Sequence, residues 1–253
     1  MDCMELFPLI PDGSVSLILT DPPYGISYQN CYSHKKHPKL EGDSGIDYER
    51  FASESYRILQ ENAQAYFFTR FDCYPYHYQC LERTGFTIKN CLVVEKGNIG
   101  GIGDLRGSYA NNAEWVIFCQ KGRWLFQRTG LITNSHQGQI YGKKPVEKYK
   151  QRYNACWFGE DYPKSTYNSA WLRKHGLCHP TVKNVEVLSW LIQISSLPGE
   201  LVFDGFMGLG STALAAIQTG RDYLGAEIDR GYFEVVQARI LSAAKEVMPN
   251  TTT

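Results

Sequence analysis

Four consecutive residues, Asp21-Pro22-Pro23-Tyr24, follow directly on the apolar run Ser16-Leu17-Ile18-Leu19-Thr20. An acid, two ring-locked residues and an aromatic face therefore stand where a buried strand ends. Proline fixes φ at about −65° and has no N–H, so two in succession keep the local carbonyls out of a helix ladder and turn them outward. A rigid loop rich in acceptors beside a flat ring is suited to holding a planar heterocycle by an exocyclic amine. The same four residues would also serve as a turn with a helix-capping acid, so the tetrapeptide needs a second signal.

That signal lies near the other end of the chain. Leu201-Val202-Phe203 is a short apolar run that leads into Asp204-Gly205-Phe206-Met207-Gly208-Leu209-Gly210-Ser211-Thr212, after which Ala213-Leu214-Ala215-Ala216 reads as a helix that Ser211 or Thr212 can cap. Glycines in such a strand–loop–helix unit let backbone approach a ligand closely. A further strand, Tyr223-Leu224-Gly225-Ala226, delivers Glu227 seventeen residues after Gly210, and an acid there commonly bonds ribose hydroxyls. A dinucleotide-binding unit would look similar, but Asp204 stands where a dinucleotide places its pyrophosphate, and like charges repel. S-adenosylmethionine carries an ammonium and a sulfonium instead, and both tolerate a carboxylate.

These two motifs, with the stretch His179-Pro180-Thr181-Val182-Lys183, together resemble the amino-group DNA methyltransferases in the permuted order called the beta class: catalytic motif first, cofactor motif last. The resemblance covers the chain apart from roughly residues 121–178. The chain departs from the family pattern at Gly205, where proline is usual, at Ser211, where threonine is usual, and at Asn184, where a proline commonly follows the lysine.

The resemblance implies an α/β, Rossmann-like S-adenosylmethionine-dependent methyltransferase fold: a mostly parallel twisted sheet with an antiparallel hairpin strand. Residues 1–120 and 179–246 would form the catalytic and cofactor-binding domain, and 121–178 a small inserted target-recognition segment. The implied activity is methyl transfer to adenine N6 in double-stranded DNA. Members with Asp before Pro-Pro-Tyr mostly modify adenine, whereas serine there is more usual for cytosine N4. Cytosine N4 is the alternative with the same chemistry, and a non-catalytic DNA-binding protein that retains the fold is the alternative from another class.

Roles follow residue by residue. Asp21 and the Pro22 carbonyl would accept the two N6 hydrogens, Pro23 would complete the motif, and Tyr24 would stack on the extruded base. Asp204, Phe206, Gly208, Gly210, Ser211, Thr212 and Glu227 would hold the cofactor, joined by His179, Thr181 and Lys183. Asp2-Cys3-Met4-Glu5-Leu6 looks like the family segment in which an Asp side chain and the next backbone N–H read the cofactor's adenine edge; the sequence starts after the strand that usually precedes it, which leaves open either a missing or shortened strand or a Met1 internal to a longer natural chain. Members of the family often pair, which leaves a homodimer open.

The elements that must position these residues are legible from apolar periodicity. An amphipathic helix is expected over Tyr48 to Leu59, followed by a buried strand over Ala65 to Thr69. Thr87 to Val94 and Trp115 to Cys119 are rich in β-branched and aromatic residues and suit an antiparallel pair around a glycine-rich connector at residues 97–103. Glu186 to Ile194, behind the cap-like Thr181, and Val235 to Ala244 read as further helices. At 253 residues the chain can bury a sizeable core without staples. Its eight cysteines form no C-x-x-C pair, so reduced thiols are expected. Cys31-x-x-His34-x-x-His37 and His175-x-x-Cys178-His179 match no structural zinc pattern, and no metal is expected. No run approaches the roughly 18 apolar residues of a membrane helix, and no secretory n-region opens the chain, so a cytoplasmic location is expected.

The net charge is zero but unevenly spread. Residues 121–175 contain eleven Lys or Arg against three Asp or Glu, with many aromatics between them, so the remainder of the chain is correspondingly acidic. A basic, aromatic segment suits nucleic-acid phosphate, because each neutralised phosphate releases counterions. Lys143, Lys144, Lys148, Lys150 and Arg152 are the candidate DNA contacts. Replacing Lys143 and Lys144 by glutamine is expected to lower the slope of log K against log salt by about two while the methylated sequence stays unchanged. A salt series of DNA-binding measurements checks this, and a slope equal to the parent's would make the cluster a solvated face only.

Overall fold

The computed structural model of the chain describes residues 1–24, 46–95, 107, 113–123, 140–141, 152–153, 156–157 and 183–247. Its strands are β1 (Val15–Thr20), β2 (Leu59–Thr69), β3 (Thr87–Glu95), β4 (Ala113–Lys121), β5 (Ile140–Tyr141), β6 (Arg152–Tyr153), β7 (Cys156–Trp157), β8 (Leu201–Asp204) and β9 (Asp222–Gly225). The helices are α1 (Cys3–Leu6), α2 (Tyr48–Ile58), α3 (Tyr74–Arg83), α4 (Val185–Ser195), α5 (Ser211–Gln218) and α6 (Arg230–Val247). Seven strands form one sheet in the order β7-β3-β4-β2-β1-β8-β9, and β5 pairs with β6 separately.

The middle of the sheet is parallel: β1 lies between β2 and β8, and β8 pairs with β9. All six residues of β1 are buried, as expected for a parallel strand covered on both faces. Alternation then sorts side chains between two cores. Ile18, Ala65, Phe67, Ile117 and Phe203 face the layer that holds Phe7, Phe51 and Leu81 of the N-terminal half. Leu17, Leu19, Tyr66, Phe68, Val116, Phe118 and Val202 face α4 and α5 through Leu188, Leu191, Ile192, Ala215 and Ala216.

The expected antiparallel pair is present, with β4 antiparallel to both β3 and β2. This reversal brings the start of β4 to the end of the sheet where the parallel strands finish, since Thr69 at the end of β2 stands opposite Trp115. Three local readings are corrected. Leu59 is not helical but opens β2, which begins well before Ala65. Asn184 rather than Thr181 caps α4, accepting from the N–H groups of Glu186 and Val187 at 2.8 and 3.3 Å. Neither Ser211 nor Thr212 caps α5; both lie buried in its first turn, and the cap residue is Gly210 at φ 74°.

Residues 121–178 are not wholly separate from the sheet. Lys121 ends β4, donates to the carbonyls of Tyr56 and Leu59 at 3.0 and 2.9 Å, and lies over the Tyr56 ring, so this lysine is structural. Cys156 and Trp157 extend the sheet beyond β3.

The loop after β8 is stitched to the end of β9: the Ala226 N–H donates to the Asp204 carbonyl at 3.1 Å, and the Met207 N–H to the Ala226 carbonyl at 2.8 Å. Gly225 lies beneath this join, where a Cβ would fall 2.5 Å from Met207 Cγ and 2.6 Å from the Asp204 carbonyl oxygen. Gly225→Ala is therefore expected to destabilise the protein by about 1–3 kcal/mol, the usual range for overpacking. Denaturant midpoints measure this, and an unchanged midpoint would show that the loop yields freely.

Candidate active site

In open α/β sheets ligands occupy the crevice at the carboxyl ends of strands, where the strand order reverses. Here β1 and β8 flank that reversal, and both motifs begin there. Thr20 Oγ1, the last side-chain hydroxyl of β1, donates to Asp204 Oδ1 at 2.7 Å, and the Phe206 N–H donates to the same oxygen at 3.0 Å. Burial pushes the Asp204 carboxyl up to about 6; bonds from Thr20, Phe206 and Thr212 oppose the rise, and the negative charge of Asp21 adds to it. Thr212 thus serves Asp204 instead of capping α5.

Asp21 stands one residue beyond β1. Its Oδ2 meets Lys183 Nζ at 2.7 Å, and its Oδ1 accepts from the Tyr24 hydroxyl at 2.6 Å. Lys183 Nζ also meets Glu114 Oε1 at 2.9 Å and lies 4.8 Å from the centre of the Phe68 ring. These ions are scarcely solvated: the side chains of Lys183, Glu114 and Asp21 are 9%, 12% and 18% exposed. Burial works against the Lys183 ammonium, but Asp21 and Glu114 outweigh it and hold its pKa above the ordinary lysine value. The Tyr24 phenol is likewise raised, well above its usual value, by burial and then by Asp21, so it stays a neutral donor.

The glycine loop faces β9. Gly208 and Gly210 have φ of 52° and 74°, the left-handed region that disfavours a side chain, and a Cβ on Gly210 would meet Val236 Cγ1 at 2.9 Å. Glu227 accepts from the Gly208 N–H at 2.7 Å and from the Asp229 N–H at 2.9 Å, and burial raises its carboxyl above the ordinary range. The Met1 nitrogen donates to the Glu227 carbonyl at 2.9 Å, which brings Asp2 and Cys3 to this edge. Asp2 Oδ1 caps α1 by accepting from the Met4 N–H at 2.9 Å, and the Cys3 side chain is buried against the loop, 3.4 Å from where a Cβ on Gly205 would lie.

The crevice thus carries Asp204, Asp21, Glu114 and Glu227, with the Lys183 ammonium on Asp21 and Glu114. A buried carboxyl raised toward 6, with another acid acting on it, is stabilised by an added positive charge and destabilised by a phosphate. The donor set therefore fits the ammonium and sulfonium of the cofactor that the resemblance implies.

Sequence reasoning grouped Lys183 with the cofactor residues; the structure brings it onto Asp21. His179, Thr181, Lys143, Lys144, Lys148 and Lys150 lie outside the described residues, as do the connector at 97–103 and both Cys/His clusters, while Arg152 begins β6. Thr20, Phe68, Glu114 and His77 were missed. His77 stacks on Tyr48 with centroids 3.9 Å apart, bonds Thr69 Oγ1 through Nδ1 at 2.8 Å, and lies 6.3 Å from the Tyr24 ring. Burial holds it down to about 4, so it is a neutral support beneath the motif. An acid at the head of the apolar run Trp115-Val116-Ile117-Phe118 was the available signal for Glu114. Among the described residues no group of His, Cys, Asp or Glu could hold a metal ion, and no helix is long and apolar enough to cross a membrane.

The sequence matches the DNA methylase family over residues 15–238. It is 26% identical to the type II methyltransferase M1.MboII of Moraxella bovis, across 92% of this chain and 91% of that protein. It is 27% identical to the DNA adenine methyltransferase YhdJ of Escherichia coli K12, across 94% and 80%. The fold is similar to that of M1.HpyAVI crystallised with SAM, with a TM-score of 0.63 at 19% identity over 95% of this chain and 96% of that one. It is likewise similar to the cytosine-N4-specific PvuII DNA methyltransferase, at 0.65 and 16% identity over 98% and 90%.

Asp204 gives this site a pH signature. A carboxyl whose pKa rises on folding stabilises the protein fully below its unfolded value of 3.8 and loses that contribution as pH rises through about 6. Asp204→Asn keeps the Oδ1 acceptor and removes the charge. The cofactor-free variant is expected to gain up to about 3 kcal/mol at pH 7.5, with the difference shrinking as pH falls toward 4. Unfolding curves at both pH values check this; a loss of stability at both would make the charged carboxylate a structural requirement.

Proposed function

The chain belongs to the DNA methylase family, and from that premise we propose that it transfers a methyl group from S-adenosylmethionine to N6 of adenine in double-stranded DNA. The observation that carries the reading is the Asp21 carboxylate at the strand end, with one oxygen on a buried lysine and the other on an exchangeable hydroxyl. The aspartate before Pro-Pro-Tyr and the similarity to an adenine methyltransferase support adenine. Cytosine N4 is the second reading, favoured by the fold similarity to a cytosine-N4 enzyme and served by the same acceptors.

Asp204, Glu227, Asp2 and the backbone of the loop from Phe206 to Thr212 would hold the cofactor, which when bound supplies a methyl group on a positively charged sulfur. The protein's own task is to prepare the nucleophile. The N6 lone pair is delocalised into the ring, so the nitrogen must be drawn toward a pyramidal form. Asp21 Oδ1 and the Pro22 carbonyl accept its two hydrogens, and the Tyr24 hydroxyl gives up its bond to Asp21 as the amine arrives. The freed ring then stacks on the base. As the new N–C bond forms, the nitrogen must shed a proton, and the carboxylate that already accepts its N–H is the base within reach. Positioning and charge complementarity supply the acceleration, with no covalent bond to the protein. Extruding the base costs a few kcal/mol, offset by stacking and edge contacts. We propose that residues 121–178 hold the backbone meanwhile, as the target-recognition segment.

Modification-sensitive sequencing of DNA from cells that express the protein tests the reading. N6-methyladenine at a defined site is expected; N4-methylcytosine would select the second reading, and unmodified DNA together with intact DNA binding would select the non-catalytic one. Asp21→Ala is expected to abolish methyl transfer with cofactor affinity kept within about threefold, whereas Asp204→Ala and Glu227→Ala each weaken cofactor binding by about 1.5–3 kcal/mol. Tyr24→Phe keeps the ring and most of the activity. Isothermal titration and single-turnover rates separate these effects, and an active Asp21→Ala protein would overturn the mechanism.

A further inference from the structure

We propose that Lys183 and Glu114 are positioning residues of the transfer site: the Lys183 ammonium pins one Asp21 oxygen so that the other faces the incoming amine, and Glu114 divides that ammonium's charge. The inference rests on the reading that Asp21 engages the target amine.

A carboxylate at a loop tip can turn about its terminal bond and exchange its oxygens. Here the two oxygens are unequal. Oδ2 is held by an ammonium that is itself fixed by Glu114 at 2.9 Å and by the face of Phe68, all of it buried. Oδ1 is met by a neutral phenol from the same loop, three residues away. The ammonium contact is the stronger and is fastened from β4 and from the head of α4, so the phenol contact is the one that yields.

Glu114 sets how much of the ammonium's charge Asp21 feels. Two carboxylates share one positive charge, which leaves the group net negative. Among the described residues, the charged and titratable groups that bear on Asp21 are Tyr24 in its own loop, Lys183 before α4, Glu114 on β4 and Asp204 at the end of β8, with Cys73 and the neutral His77 from α3 and the turn before it packed on Tyr24. Removing the positive member and removing the competing negative member must therefore act on Asp21 with opposite sign. A lysine that only fills space, or one that serves only the cofactor, gives no such opposition.

The test measures single-turnover methyl transfer to duplex DNA from pH 5 to 9, with cofactor affinity by titration and folding by circular dichroism. Lys183→Met is expected to slow transfer at pH 7 by about 10- to 100-fold, the scale of one charge-assisted bond, and to move the acid limb of the rate profile to higher pH. Its cofactor affinity stays within about threefold. Lys183→Arg restores part of the rate. Glu114→Gln keeps an acceptor for the ammonium and moves the acid limb to lower pH. If Lys183→Met does not fold, Glu114→Gln decides alone: a downward shift supports the proposal and an unmoved limb overturns it. Loss of cofactor affinity without a shifted limb would also overturn it and return Lys183 to the cofactor pocket. An Asp21→Ala protein that still methylates would instead refute the underlying reading of Asp21.

Discussion

One buried ammonium binds three distant parts of the chain. Lys183 draws Asp21 from the end of β1 and Glu114 from the start of β4 onto a single point beside Phe68. Burying three ions is costly, and their mutual attraction offsets the cost only when geometry is good and every charge is paired. Deleting a partner from such a group strands an unpaired charge, so the arrangement tolerates little movement. Such a buried group adds little net stability for its cost, and under the proposed reading what it gives Asp21 is a fixed position.

Around that point the crevice is negative, and this sign governs what it can admit. Asp204 and Glu227 are both raised by burial, so the crevice has an excess of acid that a cationic ligand relieves. DNA, by contrast, carries phosphate, which the same acids repel. Charge is separated along the sequence: residues 121–175 hold a basic excess, and the remainder of the chain, which supplies the described crevice residues, is correspondingly acidic. A neutral total thus conceals two stretches of opposite net charge.

The fold brings these groups together through strand direction. Parallel strands finish at one edge of the sheet, so the loops after β1, β8 and β9 converge without long excursions. The antiparallel β4 contributes its beginning rather than its end to the same edge. Hydrogen bonds then lock loop to loop: Thr20 to Asp204 across the strand-order reversal, and Gly208 to Glu227 across the neighbouring gap.

The sequence by itself determined the strands that read as unbroken apolar runs, the antiparallel pair, the Asp21-Pro22-Pro23-Tyr24 loop and the glycine loop with its two acids. Each is a local pattern of burial, ring constraint or backbone freedom, complete within about ten residues. Tertiary structure alone decided that Lys183 meets Asp21, that Glu114 joins it, that Thr20 and Thr212 serve Asp204, and that Asn184 displaces the expected cap. Lys183 and Glu114 are 69 residues apart in the chain, and Thr20 and Asp204 are 184 apart. No periodicity encodes such pairs. They form because sheet order and strand direction carry buried polar groups to the same edge, where each must find a partner out of water.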